Sequence, residues 1–110
     1  MSEQAEFKVY ALDQLAEIGE FETKSMFGGT ALLRDAAAFA KIKHGALWLK
    51  VDDQTRPDFE AENMPQYSYG KDNSRHLNFF QTPPDVLEDT EALAQWVAKA
   101  IDASQRSKTK

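Results

Sequence analysis

The sequence contains no cysteine, so disulfide bonds, cysteine-ligated metals and a catalytic thiol are excluded. It has only two histidines, His44 and His76, and neither has a partner at metal-ligand spacing. It has no apolar run near the length of about 20 residues that a membrane-spanning helix needs. Residues 1–6 are polar and acidic, unlike a signal peptide. We therefore expect a cytoplasmic protein with no membrane contact, no bound metal and no cofactor.

Basic charge is also scarce. The 13 Lys and Arg residues are outnumbered by 18 Asp and Glu residues, which gives a formal net charge of -5. An acidic balance opposes binding to phosphate backbones, because that affinity comes mostly from Lys and Arg. The basic cluster Arg106, Lys108 and Lys110 lies at the C-terminus, where we expect a solvated, frayed end. We therefore expect no nucleic-acid binding by this domain alone.

What the sequence does contain is enough apolar residues for one hydrophobic core. The chain has 110 residues, of which 42% are hydrophobic, and this length suits a single domain. We place that domain at residues 1–104 and a polar basic tail at residues 105–110. Apolar residues at three- and four-residue steps from Phe7 to Ile18 predict an N-terminal helix, which Gly19 ends.

The hydrophobic period changes to two between Phe21 and Val51, which is typical of strands. Strands are predicted at residues 30–34, 37–43 and 46–51, with tight turns at Asp35-Ala36 and His44-Gly45. In the last of these strands the residues should alternate between the two faces of the sheet. One face would carry Leu47, Leu49 and Val51, and the other Ala46, Trp48 and Lys50. Trp48 should pack under a helix or at an interface.

The second half of the chain predicts further strands and two helices. Asp52-Asp53 offers an N-cap for a short helix within residues 54–62. Strands follow at 67–69 and 77–81, Pro83-Pro84 ends the sheet, and Asp89 begins a long amphipathic helix. The predicted fold is α+β and two-layered. It has an N-terminal helix, a five- to six-stranded, mainly antiparallel sheet with a short inserted helix, and a C-terminal helix.

Several short motifs occur in a recognisable order. They are Met26-Phe27-Gly28-Gly29, residues 47–53, Thr55-Arg56-Pro57, Tyr67-Ser68-Tyr69, Phe79-Phe80 and the helix around Trp96. Together, over roughly residues 7–103, they resemble the TfoX (Sxy) N-terminal domain family, known from bacterial competence regulators. The resemblance implies a helix, an antiparallel sheet and flanking helices, arranged as in type III secretion chaperones.

Longer members of this family carry a second, helical domain that is associated with DNA-related regulation. This chain ends before such a domain, so we expect a stand-alone single-domain member whose role in competence does not follow from the resemblance. Thr30, Trp48 and Phe79-Phe80 also depart from the residues usual in the family, and Trp48 and Phe79-Phe80 lack the hydroxyl groups of the tyrosines usual there.

The candidate catalytic groups have simpler structural explanations. Gly28-Gly29 lacks the patterns of phosphate-binding loops and precedes a strand, which favours a bulge or tight turn. The charged residues between Lys50 and Glu60 suit helix capping and salt bridges better than acid–base chemistry. No serine lies in a known nucleophile motif. We therefore predict that the protein is not an enzyme.

Three functions remain, in this order. The first is a non-enzymatic regulatory or protein-interaction domain with a protein partner, and homodimer formation is left open. Its candidate contact residues are Trp48, Tyr67, Tyr69 and Phe80. The second is a small-molecule or anion-binding module. Its candidate residues are Gly28, Gly29, Lys50 and Arg56. The third is an accessory DNA-binding transcriptional regulator, in analogy with the longer family members.

Overall fold

A computed structural model describes residues 3–26, 29–43, 45–70, 72 and 75–108 of the chain. The helices are α1 (Glu3–Ala16), α2 (Arg56–Ala61), α3 (Pro84–Glu88) and α4 (Thr90–Lys108). The strands are β1 (Glu22–Met26), β2 (Gly29–Arg34), β3 (Ala37–Lys43), β4 (Ala46–Lys50), β5 (Gln66–Tyr69) and β6 (Arg75–Gln81). The α+β class predicted from the sequence is confirmed.

The six strands form one open antiparallel sheet in the order β1-β2-β3-β4-β6-β5. The predicted turn at Asp35-Ala36 connects β2 with β3. In the second predicted turn, Gly45 lies between β3 and β4, and His44 lies outside the described residues. Asp35 and Ala36 have φ values of 54° and 67°, and Gly45 has a φ of 68°. Left-handed backbone in short hairpin turns matches the twist of the flanking strands. The turns therefore fix which residues of β2, β3 and β4 face each other.

The main hydrophobic core lies on one face of the sheet, beneath the helices. α1 and α4 pack on β3, α4 also packs on β4, and α3 lies against α1 and α4. As predicted, Leu47, Leu49 and Val51 belong to this core. Ala46 and Trp48 belong to a separate cluster on the other face. The apolar residues of α4 pack here too, because their helical spacing gives that helix one buried stripe.

The capping predictions agree with the structure in part. Asp89 accepts the backbone N–H groups of Glu91 and Ala92 at the start of α4. The Asp52 carboxylate accepts the N–H groups of Gln54 and Thr55, but α2 itself begins only at Arg56. Asp52 therefore shapes the turn that leads into the short helix.

Two features differ from the expectations. The segment after Pro83 contains a short helix, α3, where the sequence indicated only a break. Near the C-terminus, α4 continues to Lys108, and Arg106 forms an ion pair with the Asp52 carboxylate. Residues 105–108 are therefore helical rather than a frayed end, and the ion pair connects the last turns of α4 to the turn that follows β4.

Candidate functional site

A second, smaller apolar cluster lies on the face of the sheet opposite the main core, here called the open face. Its buried residues are Ala46, Trp48, Tyr67 and Phe79, with Leu77 packed beside them. All of them come from β4, β5 and β6. The cluster therefore contains no helical residue.

Trp48 organises this cluster. Its ring meets that of Tyr67 edge to face, with centroids 5.0 Å apart and an interplanar angle of 86°. Its indole Nε1–H donates a hydrogen bond of 3.0 Å to the backbone carbonyl of Lys43. Edge-to-face rings and a bonded indole are the arrangement that buried aromatic side chains favour. The ring orientation of Trp48 is thus fixed from two sides.

Lysine side chains cover the rings. The Nζ of Lys41 lies 5.0 Å from the ring centroid of Tyr67 and 4.9 Å from that of Phe79. The Nζ of Lys50 lies 5.4 Å from the Phe79 centroid. Lysine can lay its apolar stem on a ring while its ammonium group stays near water. This explains how Tyr67 and Phe79 remain only 4% and 7% exposed on the open face.

The strand register collects positive charge on the open face. Lys24 pairs with Ala31, Ala31 pairs with Lys41, and Lys41 pairs with Trp48. Residues that are paired across two strands share a face of the sheet, and so do alternate residues along one strand. Five basic residues therefore belong to the open face. These are Lys24, Lys41, Lys43, Lys50 and Arg75. The acidic residue that the described strands place there is Glu22, on the edge strand β1.

Among the described residues, no ion pair involves Lys41, Lys43 or Lys50. Among the described residues, the ion pairs are Arg56 with Glu60, Lys99 with Asp58 and Arg106 with Asp52. None of these pairs includes a lysine of the open face. Burial, followed by the charges of Lys43 and Lys50, lowers the pKa of Lys41. Positive charge on this face is therefore unneutralised within the described chain.

The open face is concave. A cavity of about 360 Å³ lies between Gly29 on β2, Lys43 on β3 and Tyr69 on β5. A second cavity of about 430 Å³ shares Ala31, Lys41 and Leu77 with the first. It extends to Ser104 and Ser107 near the end of α4. The two cavities share three lining residues, and together they are called the groove below.

The predicted contact residues divide between the two faces. Trp48, Tyr67 and Tyr69 lie on the open face, and Tyr69 is 40% exposed. Phe80 pairs with Leu49 and lies in the main core against Phe59, with 4% of its surface exposed. The open face therefore gathers three of the four predicted residues, and Phe80 is covered by the helical layer.

The residues predicted for an anion site are not brought together. Gly28 lies outside the described residues. Gly29 and Lys50 line the two cavities of the open face. Arg56 lies over Phe80 on the other face, where it binds Glu60 and Gln66. At Gly29, a Cβ atom would lie 2.9 Å from the Ile42 carbonyl oxygen, so close strand approach accounts for this glycine.

The open face also contains residues that the sequence did not single out. Lys41 and Lys43 line the groove, but only the strand order places them beside aromatic residues of β5 and β6. The alternation of lysine along β3, opposite Trp48 in the next strand, is the signal that could have indicated them. Within the described parts of the chain, no three metal-ligating side chains are grouped to hold a metal ion. Of the helices described, none has the length and apolarity to cross a membrane.

Comparison with known proteins identifies a family. The family model described as the TfoX N-terminal domain matches residues 13–104. The matched region includes all six strands, and therefore the whole open face. No curated protein matches the chain.

Proposed function

The chain belongs to the TfoX N-terminal domain family, and we propose that it is a non-enzymatic, cytoplasmic regulatory domain that binds another protein through the open face. One observation carries the proposal. An aromatic cluster on this face is covered by lysine stems instead of by a helix. An aromatic centre surrounded by a polar rim is typical of protein contact sites.

The exposed aromatic residue of the groove supports the same surface. Tyr69 lies at one end of the groove, beside the buried Tyr67. Tyrosine is enriched at the energetic centres of interfaces because its ring buries a large area with few rotamers. Val9 and Tyr10 on α1 are also exposed, but neither lines a cavity of the open face.

The chemistry of the groove favours binding over catalysis. Its described polar side chains are mainly ammonium and phenol groups, and Lys41 has two other lysines as its electrostatic neighbours. A general base or nucleophile normally works with a second group that accepts or orients its proton. Lys41 instead lies against the rings of Tyr67 and Phe79, which favours a role in holding a partner.

Site-specific photo-crosslinking tests the surface. Tyr69 and Tyr10 are both 40% exposed, on β5 and α1 respectively, so they form a matched pair. Each would be replaced in turn by a photoreactive phenylalanine analogue, in the full chain expressed in its native host. We expect a discrete protein adduct from position 69 and none from position 10. Adducts from both positions at equal yield, or only from position 10, would contradict docking on the open face.

A competition control separates specific from random crosslinking. An excess of wild-type protein without the photoreactive residue should suppress the adduct from position 69. The same excess of Tyr69→Ala protein should suppress it less. Tyr69 is substantially exposed, so its truncation should leave the fold intact, which a thermal melt would check. Equal suppression by both competitors would show that Tyr69 takes no part in the contact.

A further inference from the structure

The open face carries mainly positive charge, although the molecule as a whole is acidic. It carries five basic residues and, among the described strand residues, one acidic residue at its edge. The described helices carry more acidic than basic residues, and α1, for example, exposes Glu6 and Asp13 against one basic residue, Lys8. Since the whole chain has a net charge of -5, the sign of this face is set by the placement of residues and not by composition.

The shape of the groove adds a second constraint on what it binds. The two cavities, of about 360 and 430 Å³, share Ala31, Lys41 and Leu77 in their linings. Lys41 stands where they meet, and Lys43 and Lys50 line one cavity each. Ammonium groups are thus distributed along the groove, with Leu77 in the floor of both parts. A compact ligand would fill one part only, whereas an extended chain can use both.

We propose that the groove binds an acidic segment of a partner protein in an extended conformation. Carboxylates of the segment pair with Lys41, Lys43 and Lys50. An apolar side chain of the segment enters between Tyr69 and Leu77. The inference rests on the proposed function, since it specifies the chemistry of the partner on the same face. Pairing would neutralise lysines that have no acidic partner among the described residues, and apolar contact would add affinity.

Two other occupants fit the face less well. A two-fold dimer through the open face would place its five basic residues against the same five of a second copy, which is repulsive. Single-stranded nucleic acid binds such sheets by stacking bases on exposed rings. Here Tyr67 and Phe79 are themselves packed into the aromatic cluster and are 4% and 7% exposed, so among the described residues of this face Tyr69 is the exposed ring.

Fluorescence anisotropy with three labelled probes tests the proposal. The first is a peptide of about twelve residues that is rich in Glu and carries two Leu residues. The second is the same peptide with Gln in place of Glu, and the third is a single-stranded oligothymidine of about the same length. We expect the wild-type chain to bind the Glu peptide at least about tenfold more tightly than either other probe at low salt.

Matched lysine variants locate the binding. Lys43→Gln on the open face and Lys8→Gln on the exposed surface of α1 remove the same charge. We expect Lys43→Gln to weaken binding of the Glu peptide about threefold to tenfold and Lys8→Gln to leave it unchanged. Circular dichroism would confirm that both variants fold. Equal weakening by the two variants would mean that the peptide responds to net charge alone, which overturns the proposal.

The remaining outcomes separate this inference from the proposed function. Tighter binding of oligothymidine would assign the face to nucleic acid, and equal binding of the Glu and Gln peptides would remove the acidic requirement. No binding of any probe would also overturn the acidic-segment proposal. In each case a protein adduct from position 69 would still support docking of a protein on the open face. Loss of that adduct would instead overturn the proposed function itself.

Discussion

The two faces of the sheet bury aromatic residues to a similar degree, but they cover them differently. On the core face, Phe59 is fully buried and packs against Trp96 of α4, with centroids 4.7 Å apart. On the open face, Phe79 is 7% exposed and is covered by Lys41 and Lys50. A helix is held by many contacts at once, whereas a lysine stem can swing away. A low exposed fraction on the open face therefore does not mean that the ring is permanently covered.

Truncating one phenylalanine on each face tests this difference most directly. We expect Phe59→Ala to lower the free energy of unfolding by about 4 kcal/mol, because the rigid core leaves a cavity. We expect Phe79→Ala to lower it by about 2 kcal/mol, because lysine stems can move into the space. Urea unfolding of both variants measures these values. Equal losses would show that the open face is packed as rigidly as the core.

The ion pair between Arg106 and Asp52 connects α4 to the turn that follows β4. Its contribution to the free energy of unfolding should depend on pH. The hydrogen bond from the Arg106 guanidinium is the largest cause that lowers the pKa of Asp52 from 3.8 to about 2, against the opposing effect of burial. The backbone N–H groups of Thr55 and Gln54 lower it further. Because the folded-state pKa lies below the unfolded value, the stabilisation is present above about pH 4. It is lost as the pH falls towards 2.

Asp52→Asn should therefore lower the free energy of unfolding by about 1 kcal/mol at neutral pH and have little effect near pH 2. Asp58→Asn is the control, since it breaks the more exposed 3.0 Å pair with Lys99 and should cost only a few tenths of a kcal/mol. Urea unfolding at neutral and acidic pH compares them. A pH-independent loss in Asp52→Asn would point to capping of the turn, instead of the ion pair, as the main contribution of Asp52.

The sequence predicts the local elements of both faces well. Alternation in residues 46–51 and the turn at Gly45 are short-range signals, and they indicate β4 and its two faces correctly. The helix α3 was missed because it spans only Pro84–Glu88, too short for a helical period to appear. Proline is also tolerated in the first turn of a helix, so Pro84 does not prevent one.

The candidate site is harder to predict because it depends on pairing between distant strands. Phe79 and Phe80 are neighbours in the sequence and must lie on opposite faces. The pairing of Lys50 with Phe79 and of Leu49 with Phe80 decides which ring joins the open face. Lys41 reaches Tyr67 and Phe79 only because β6 and β5 follow β4 in the sheet. No local sequence pattern predicts this order of the strands in the sheet.

Removing the charge of Lys41 should have the smallest effect on stability, and an effect of opposite sign. Burial, together with Lys43 and Lys50, lowers the pKa of Lys41, so its charged form is disfavoured in the folded protein. Lys41→Met keeps an apolar stem over Tyr67 and Phe79. We expect it to raise the free energy of unfolding by about 0.5 kcal/mol at neutral pH. Lys8→Met, on the exposed surface of α1, should change nothing.

The same pKa shift fixes the pH dependence. The folded protein releases the Lys41 proton at a lower pH than the unfolded chain, so this contribution makes wild-type stability rise as the pH approaches 10.5. Lys41→Met should lack that rise, which urea unfolding at neutral and alkaline pH would measure. A variant less stable than wild type would mean that cation–π contacts outweigh the desolvation of the ammonium group. A more stable variant that binds the Glu peptide less tightly would show that the open face retains a destabilising charge for binding.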